Sequence, residues 1–449
     1  MPLTASEINS GSNSKSAAVV GAGIAGLVAA KRLVDSGFQV DVFESTDRVG
    51  GLISAAQLGN YLIDIGAESF AVAKNTVPEL CAELGIENLI VQPQRSDARI
   101  LGVRGVHTIP HGVLGIPSDL DAPEVAEAVG IEAVALAKQL DSKPWVADAD
   151  ISIGDLVEVR LGKAFVDNFL TPVIAGVHSS DPQKLEVATV SPSLLAKGSE
   201  TGSLVAAVKA IRSSAARPGA AVASISGGMH KLVTELESYL INAGVVIHLN
   251  KKIESLADLA SYDRVVLAAG IEGAAQVMAD NSNDLAKDLQ QDLASFKGVD
   301  AAVVALLVES EQLNEFPRGS GVLVSAEVSD LGAKAATHVN AKWAWVNNLL
   351  PKNQHILRFS FGRNGVLPAE VESLAELATR DAARIFGISD VRVIETFTKK
   401  WPHALIQATP GHSAIVKRVK SRIAADSRLP IIGAGLGGNG ITGILSVER

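Results

Sequence analysis

The start of the chain alternates apolar runs with glycine turns in a pattern that predicts a strand, a helix and a second strand. Ser16–Val20 is a short apolar run of the kind found in buried strands. Apolar residues then recur at helical spacing over residues 27–35, and Gly37 ends that pattern. Gln39–Phe43 alternates polar and apolar residues, which is typical of a strand with one buried face. This segment therefore predicts a strand–helix–strand unit.

The remaining sequence predicts further strands and helices in an interleaved order. Residues 123–215 are mostly helical in pattern, with proline and glycine breaks. Other helices are predicted at 76–84, 230–242 and 369–386, and short strands at 61–70, 89–91, 100–103, 107–110, 245–249, 264–269, 301–309, 321–325 and 356–361. This order favours an α/β protein with two interleaved domains and a helical lobe over three consecutive domains.

The turn between the first strand and the first helix carries a glycine motif. It reads Gly21-Ala22-Gly23-Ile24-Ala25-Gly26, and Glu44 follows the second strand 18 residues after the last glycine. The first glycine permits the tight turn, the second lets the backbone approach a pyrophosphate, and the third lets helix and strand pack closely. The helix N–H groups bind phosphate, and the acid accepts hydrogen bonds from ribose. The unit is predicted to bind a dinucleotide.

Composition narrows the class of protein further. The chain has 449 residues, of which 47% are hydrophobic, so it has enough apolar material for a large core. A single cysteine, Cys81, excludes an intramolecular disulfide and any multi-thiolate metal centre, and we expect no metal. The net charge of −9 argues against nucleic-acid binding. Residues 1–15 are expected to form a disordered tail, and the lack of a membrane-spanning run predicts a cytoplasmic protein.

A second short motif indicates which dinucleotide binds. Arg48, Gly50 and Gly51 follow Glu44 after a three-residue gap. An acid followed by this RxGG pattern resembles the signature of the flavin-dependent amine-oxidase superfamily, whose members bind FAD. The chain also lacks a second GxGxxG unit, which argues against the two-nucleotide plan of disulfide reductases. The resemblance therefore implies FAD as the cofactor rather than NAD.

Five further segments resemble bacterial protoporphyrinogen/coproporphyrinogen oxidases, and the resemblance extends over nearly the whole chain from Ala17. They are GAESF at 66–70, GVHTIPHGVLGIP at 105–117, FLTPVIAGVHSSDP at 169–182, SGGM at 226–229 and KWP at 400–402. The third is the most specific, because it is similar to the family's stretch of spaced proline, glycine and aspartate residues. The five segments also occur in the family's order.

The resemblance implies a reaction and partners. Such enzymes oxidise a porphyrinogen to a porphyrin in haem biosynthesis, in a six-electron reaction that uses O₂ and releases three peroxides. Coproporphyrinogen III is the expected substrate and protoporphyrinogen IX the alternative. Hand-over of the product to another haem-pathway enzyme and a homodimer are also compatible with the resemblance. More distant alternatives are another amine-oxidase-like oxidase or desaturase, and a porphyrin-carrying flavoprotein without activity.

The resemblance also implies a domain organisation. An interleaved Rossmann-like FAD-binding domain would comprise residues 16–54, 222–292 and 396–449. A mixed-sheet substrate-binding domain would comprise residues 55–96, 208–221 and 293–395. Residues 97–207 would form the mainly helical lobe.

Specific residues of this chain match the family's cofactor and substrate positions. The cofactor residues implied are Gly21, Ala22, Gly23, Ile24, Ala25, Gly26, Glu44, Ser45, Arg48, Gly50, Gly51, Gly66, Ala67, Glu68, Ser69, Ile253, Trp401, Gly440, Ile441 and Thr442. Arg99 and Lys74 are the implied substrate-binding cations, because a porphyrinogen carries negatively charged propionates on an apolar ring system. No side chain is singled out as a catalytic acid or base.

Overall fold

The computed structural model describes residues 15–94, 97–147, 150–214, 221–279, 284–368, 373–425 and 429–446. The predicted tail at 1–15 lies outside these residues apart from Lys15. Among the described residues, no helix combines the length and the apolar composition needed to cross a membrane.

The strands within the described residues form five sheets of two to seven strands. They are β1 (Ser16–Val20), β2 (Gln39–Phe43), β3 (Ala55–Leu58), β4 (Tyr61–Asp64), β5 (Phe70–Ala71), β6 (Ile90–Val91), β7 (Arg99–Gly102), β8 (Gly105–Thr108), β9 (Gly112–Val113), β10 (Ile116–Pro117), β11 (Val222–Ile225), β12 (Val246–His248), β13 (Arg264–Leu267), β14 (Gly298–Glu309), β15 (Gly321–Val324), β16 (Ala335–His338), β17 (Gln354–Phe361) and β18 (Arg392–Ile406).

Helices connect and cover these sheets. They are α1 (Ile24–Asp35), α2 (Thr76–Glu83), α3 (Pro123–Val129), α4 (Ile131–Asp141), α5 (Ile153–Leu161), α6 (Lys163–Phe165), α7 (Thr171–His178), α8 (Val187–Val190), α9 (Pro192–Thr201), α10 (Leu204–Ser214), α11 (His230–Asn242), α12 (Gly270–Val277), α13 (Asp284–Ala294), α14 (Val339–Lys342), α15 (Ala344–Leu349), α16 (Leu374–Phe386), α17 (His412–Ala425) and α18 (Ile441–Ser446).

The first sheet is parallel, with the strand order β12-β2-β1-β13. Its central strand β1 pairs with β2 on one side and with β13 on the other. Helix α1 follows β1 and buries Leu27, Ala30 and Leu33 in the core beside the sheet, which explains its apolar spacing. Because all four strands run in the same direction, the carboxyl ends of β1, β2 and β13 lie at one edge, where such sheets bind ligands.

The second sheet is mixed and has seven strands in the order β18-β14-β17-β16-β15-β7-β8. The long strand β14 pairs antiparallel with β17 on one side and with β18 on the other. Only the contact between β15 and β7 is parallel. One face of this sheet packs against α16 through a core that includes Phe359 and Phe386.

Helices α3 to α10 pack into the predicted helical region. Their core contains Ile153, Phe165 and Phe169, all of which are fully buried. A buried ion pair also joins two of the helices, since Arg160 Nε lies 3.1 Å from the Asp141 carboxylate. That carboxylate in turn accepts the Leu204 N–H at 2.7 Å, so it fixes the start of α10 as well.

The α/β class is confirmed, and the predicted strands at 100–103 and 107–110 correspond to β7 and β8. The sequence pattern did not predict several other elements, among them β3, β16, β18, α12 and α17. The longest of these, β18, contains residue 396, where a domain boundary was expected. Strand β18 pairs with β14, which is about 90 residues earlier in the chain, and the local sequence pattern carries no information on such long-range pairing. The domain boundaries as a whole stay a prediction.

Candidate functional site

The glycine turn after β1 is built as its spacing requires. Gly21 has φ = +101°, a conformation that favours glycine. A Cβ at Gly26 would lie 1.9 Å from the Gly21 carbonyl oxygen, so only glycine allows α1 to approach this closely. At Gly23, by contrast, no described atom lies within 4 Å of the Cβ position. The turn therefore presents bare backbone at its middle glycine.

The first turn of α1 is suited to an anion. Gly23 is the N-cap residue, and within the described residues no side chain caps the helix there. The first turn also contains no acidic residue that would compete for the free N–H groups. Such a helix start carries partial positive charge and exposed donors, and it binds phosphate readily.

Glu44 lies at the carboxyl end of β2 and closes the glycine turn from the side. One carboxylate oxygen accepts the Ala22 N–H at 2.9 Å, and the other accepts the Thr46 N–H at 2.9 Å. The acid is thereby held at the sheet edge where ribose hydroxyls would reach it. Its predicted place beside the nucleotide matches this position, and its contact with ribose stays a prediction.

The RxGG loop packs directly on the glycine turn. The Gly50 N–H donates to the Ala22 carbonyl at 2.8 Å, and the Arg48 guanidinium donates to the Gly51 carbonyl at 2.8 Å. The same guanidinium lies over the indole of Trp401, 5.6 Å from the ring centroid. Arg48 thus stiffens its own loop and joins it to β18 of the second sheet.

Trp401 is fixed at the junction of the two sheets. Its indole N–H donates to the Ile65 carbonyl at 3.1 Å, and the side chain is buried. The Lys399 ammonium lies 5.2 Å from the ring centroid, so a second cation besides Arg48 contacts the indole. The ring is oriented by these contacts and lines the cavity described below.

The GAESF turn contains the most strongly paired acid of the site. Glu68 forms ion pairs with Arg358, at 2.9 Å, and with Lys342. Burial alone would raise the pKa of Glu68, but the charges of Lys342 and Arg358 outweigh it and lower the pKa to about 2. Arg358 also donates to the Gly66 carbonyl. The turn is therefore held against the second sheet by charge-assisted hydrogen bonds.

A single cavity of about 1370 Å³ joins the glycine turn to the second sheet. It exceeds the roughly 300–1,000 Å³ of a typical small-molecule site, so it has room for a dinucleotide and a second ligand. The predicted cofactor residues that line it are Gly21, Gly23, Ile24, Ala25, Glu44, Ser45, Arg48, Gly50, Gly51, Gly66, Ala67, Glu68, Ser69, Ile253, Trp401 and Ile441.

The six other predicted residues are not among those that line the cavity. Ala22 and Gly26 are buried members of the glycine turn. Thr442 donates to the Ala71 carbonyl at 2.6 Å, and Gly440 precedes α18. Among the predicted substrate cations, Lys74 is exposed. Arg99 donates to the Thr108 hydroxyl at 2.5 Å, across the hairpin of β7 and β8. The roles predicted for all six residues stay predictions.

The lining residues that sequence reasoning missed include Lys334, Lys342, Arg358 and Asn439. Asn439 hydrogen-bonds both the N–H and the carbonyl of Ile406, at 3.0 and 2.8 Å, and so attaches the C-terminal loop to β18. Asn439 lies between two glycines of the C-terminal segment, and this position could have identified it as a site residue from the sequence. Of the three cations, Lys334 precedes β16, Lys342 ends α14 and Arg358 lies in β17, and none of them belongs to a local motif.

Comparison with known proteins identifies the family. The sequence profile described as "Flavin containing amine oxidoreductase" matches residues 24–440. The chain belongs to this family. Its membership implies a flavin cofactor, and the bare glycine turn, the uncapped helix start and the large cavity fit one. The resemblance stated from the sequence is therefore confirmed.

Individual members of the family resemble the chain over nearly its full length. The coproporphyrinogen III oxidase of Mycobacterium leprae is 30% identical, over 96% of this chain and 96% of its own. The coproporphyrinogen III oxidase of Staphylococcus aureus is 25% identical, over 94% of each chain. The solved structure of a presumed protoporphyrinogen oxidase from Exiguobacterium sp. 255-15 superposes with a TM-score of 0.82, covering 97% of each chain at 23% identity, which shows a shared fold.

Proposed function

We propose that this chain is an FAD-dependent oxidase that converts coproporphyrinogen III to coproporphyrin III with O₂, in haem biosynthesis. The observation that carries the proposal is the charge of the part of the cavity wall that residues 301–406 form. Among the described lining residues from 301 to 406, five are Lys or Arg and none is acidic: Lys334, Lys342, Arg358, Lys399 and Lys400. This wall suits a large apolar ring that carries several carboxylates.

FAD rather than a mononucleotide is supported by the local architecture at the parallel sheet. The uncapped start of α1 suits a pyrophosphate, and Glu44 lies at the adjacent strand end where an adenosine ribose would be placed. Ile253, which follows β12, is buried and lines the same cavity. Its side chain provides an apolar contact for an adenine. A mononucleotide would leave this end of the cavity without a ligand.

The residues of the chain have binding and orienting roles in this scheme. A bound flavin supplies the two-electron redox chemistry, and three successive oxidations remove six hydrogens from the porphyrinogen while three O₂ become three H₂O₂. The buried Trp401 and the Glu68 turn shape the wall between the two sheets. Lys342 and Arg358 are paired with Glu68, and Lys400 is paired with Asp300. Among the described residues of this wall, Lys334 and Lys399 are therefore the cations left to hold carboxylates, so the ring is oriented by its rim rather than by contacts with its reacting carbons.

A direct assay tests the proposal. Purified protein is reconstituted with FAD, supplied in parallel with coproporphyrinogen III and protoporphyrinogen IX, and followed by porphyrin fluorescence and peroxide release. We expect faster oxidation of coproporphyrinogen III, with three peroxides per porphyrin. Preference for protoporphyrinogen IX would move the enzyme to that substrate. Binding of either porphyrinogen without flavin bleaching under anaerobic conditions would favour a carrier, and no binding would favour an amine-type substrate.

Two partner predictions accompany the proposed reaction. Hand-over of the porphyrin to another haem-pathway enzyme follows from the photoreactivity and low solubility of a free porphyrin. The homodimer is tested by the molar mass of the FAD-loaded protein in light scattering, where a value of twice 46.6 kDa is expected.

A further inference from the structure

Lys334 is buried in the cavity wall, where an unpaired lysine is rare. It immediately precedes β16, lines the cavity and is only 3% exposed. Its backbone is pinned on both sides, because its N–H donates to the Ser360 carbonyl at 2.9 Å and its carbonyl accepts the Val324 N–H at 2.9 Å. These bonds fix the Cα of Lys334 in the sheet, so its side chain starts from a defined point of the cavity wall.

The ammonium group has no carboxylate partner within the part of the chain that the structure describes. Its contact is the hydroxyl of Ser179, which it donates to. Another cation, Arg363, acts on it electrostatically, and the guanidinium of Arg363 itself donates to the Val324 carbonyl at 2.9 Å. An unpaired buried charge is costly, and pairing with an anion relieves that cost. The site therefore lacks a negative charge that a ligand can supply.

Ser179 adds a second donor at the same point. It is the residue after α7 and adopts a left-handed conformation with φ = +51°, which directs the chain out of the helix into the cavity wall. The residue is fully buried and lines the cavity beside Lys334. Because its oxygen accepts from Lys334, its own hydroxyl hydrogen is directed elsewhere. An ammonium and a hydroxyl from two different structural regions thus converge.

We propose that Lys334 and Ser179 form an anchoring site for one carboxylate of the substrate, with Lys334 supplying the charge and Ser179 a hydrogen bond. This inference rests on the proposed porphyrinogen substrate and assigns one of its propionates a place in the cavity. The Lys342–Arg358 pair is compensated by Glu68, whereas Lys334 is not, so Lys334 gains most from an incoming anion. It is a specificity residue and takes no part in the redox step.

The pKa of Lys334 in the protein without substrate is consistent with this role. Burial, together with the charge of Arg363, lowers the pKa of Lys334 to about 7. A bound carboxylate would favour the charged ammonium and raise that pKa again. Binding of a carboxylate at pH 8 is therefore expected to take up a proton, with Ser179 and Arg363 as the polar and charged groups that face Lys334.

Binding of the reaction product tests the anchor. Coproporphyrin III is titrated into FAD-loaded wild type, Lys334→Met, Ser179→Ala and the control Lys352→Met, which removes the same charge from an exposed turn. We expect Lys334→Met to weaken binding about tenfold or more, as loss of a charge-assisted hydrogen bond does, and Ser179→Ala to weaken it less. Lys352→Met should bind like wild type. Calorimetry in buffers of different ionisation enthalpy should show proton uptake in wild type and little in Lys334→Met.

The outcomes separate this inference from the proposed function. Equal affinity of Lys334→Met and wild type, with the flavin still bound, would overturn the anchor while the proposed function stands. A variant with unchanged product affinity but a lower kcat would also overturn it, because Lys334 would then act on the reaction itself. A wild type that binds no coproporphyrin at all would overturn both.

Discussion

Glu68 and Arg358 meet at 2.9 Å where the GAESF turn contacts β17, an inner strand of the seven-stranded sheet. Lys342 contacts the same carboxylate from α14, so one acid compensates two cations. All three side chains line the cavity. This arrangement connects the part of the chain that carries the nucleotide motif to the part that carries the basic wall.

Glu68→Gln should destabilise the protein, because it leaves two partly buried cations without their counter-ion. Removing one partner of a fully buried ion pair costs about 3–5 kcal/mol, and we expect a part of that here because all three side chains keep some contact with solvent. Urea unfolding of the FAD-loaded protein at pH 7 measures the change. Glu235→Gln on the exposed face of α11 is the matched control and should unfold like wild type.

Glu68→Gln should also change how the free energy of unfolding depends on pH. The pKa of Glu68 is lowered to about 2 in the folded state from its usual 4.5, so the folded protein binds fewer protons than the unfolded chain between these values. Its stabilising contribution is fully present above about pH 4.5 and is lost as the pH falls towards 2. Wild type should lose stability more steeply over this range than Glu68→Gln. Parallel slopes would contradict the pairing.

Two glycine variants should separate packing from cofactor binding. In Gly26→Ala the new methyl group would lie 1.9 Å from the Gly21 carbonyl, so both the apoprotein and flavin binding should suffer. In Gly23→Ala the methyl group would extend into open space in the described structure, beside the helix start where a phosphate would bind, so the apoprotein should keep its Tm. We expect Gly23→Ala to lose flavin nonetheless. Apoprotein melting curves and the flavin-to-protein absorbance ratio distinguish the two effects, and full flavin occupancy in Gly23→Ala would contradict the phosphate site.

The cofactor end of the site was predictable because its signals are local. Gly21, Gly23, Gly26 and Glu44 lie within one strand–helix–strand unit, where each spacing follows from one turn or one close approach. Three consecutive elements of the chain are sufficient to define it. The structure accordingly places these residues at one sheet edge, as their spacing requires.

The substrate end was not predictable in the same way. Lys334, Lys342 and Arg358 come from β16, α14 and β17, or directly precede them, and the cavity wall forms only when these strands pair with β15 and β14. A lysine beside a strand has no local feature that distinguishes a cavity residue from an exposed one. Arg99 is the opposite case. The family resemblance selects it as a substrate-binding cation, whereas in the structure its side chain donates to the Thr108 hydroxyl.

Arg99→Ala provides a test of that assignment. If a substrate carboxylate recruits the guanidinium from Thr108, the variant should raise the KM for porphyrinogen several-fold and leave flavin affinity unchanged, as the loss of one charge-assisted hydrogen bond would. Steady-state kinetics and flavin titration measure the two quantities. Thr108→Val is the companion variant, because it frees Arg99 without removing its charge. An unchanged KM in Arg99→Ala would remove Arg99 from the substrate site.

Trp401→Phe should report on the junction of the two sheets. The phenyl ring retains the contacts with Arg48 and Lys399 but loses the indole N–H bond to the Ile65 carbonyl. Because that carbonyl is left without its donor, we expect a loss of about 1–2 kcal/mol in unfolding free energy. Trp401→Leu also removes the cation contacts and should lose more. Equal stability of the two variants would show that the stacked cations contribute nothing measurable.

A buried histidine pair behind the site should make the fold sensitive to mild acid. His338 Nε2 and His355 Nδ1 lie 3.0 Å apart, and both side chains are buried. One nitrogen must accept from the other, so protonating both rings would set two donors against each other. Burial lowers the pKa of both imidazoles, and for His338 the neighbouring His355 lowers it further.

The sign of the resulting pH dependence follows from these lowered values. Below about pH 6.5 the unfolded chain binds protons that the folded pair refuses, so stability falls as the pH decreases from there to about 4. At pH 5 each histidine costs about 2 kcal/mol relative to neutral pH. His338→Gln keeps a hydrogen-bonding group and removes one titration, so its stability should fall less between pH 7 and 5 than that of wild type. The exposed His111→Gln control should retain the wild-type slope, and an identical slope in His338→Gln would show that the pair is not the acid-sensitive element.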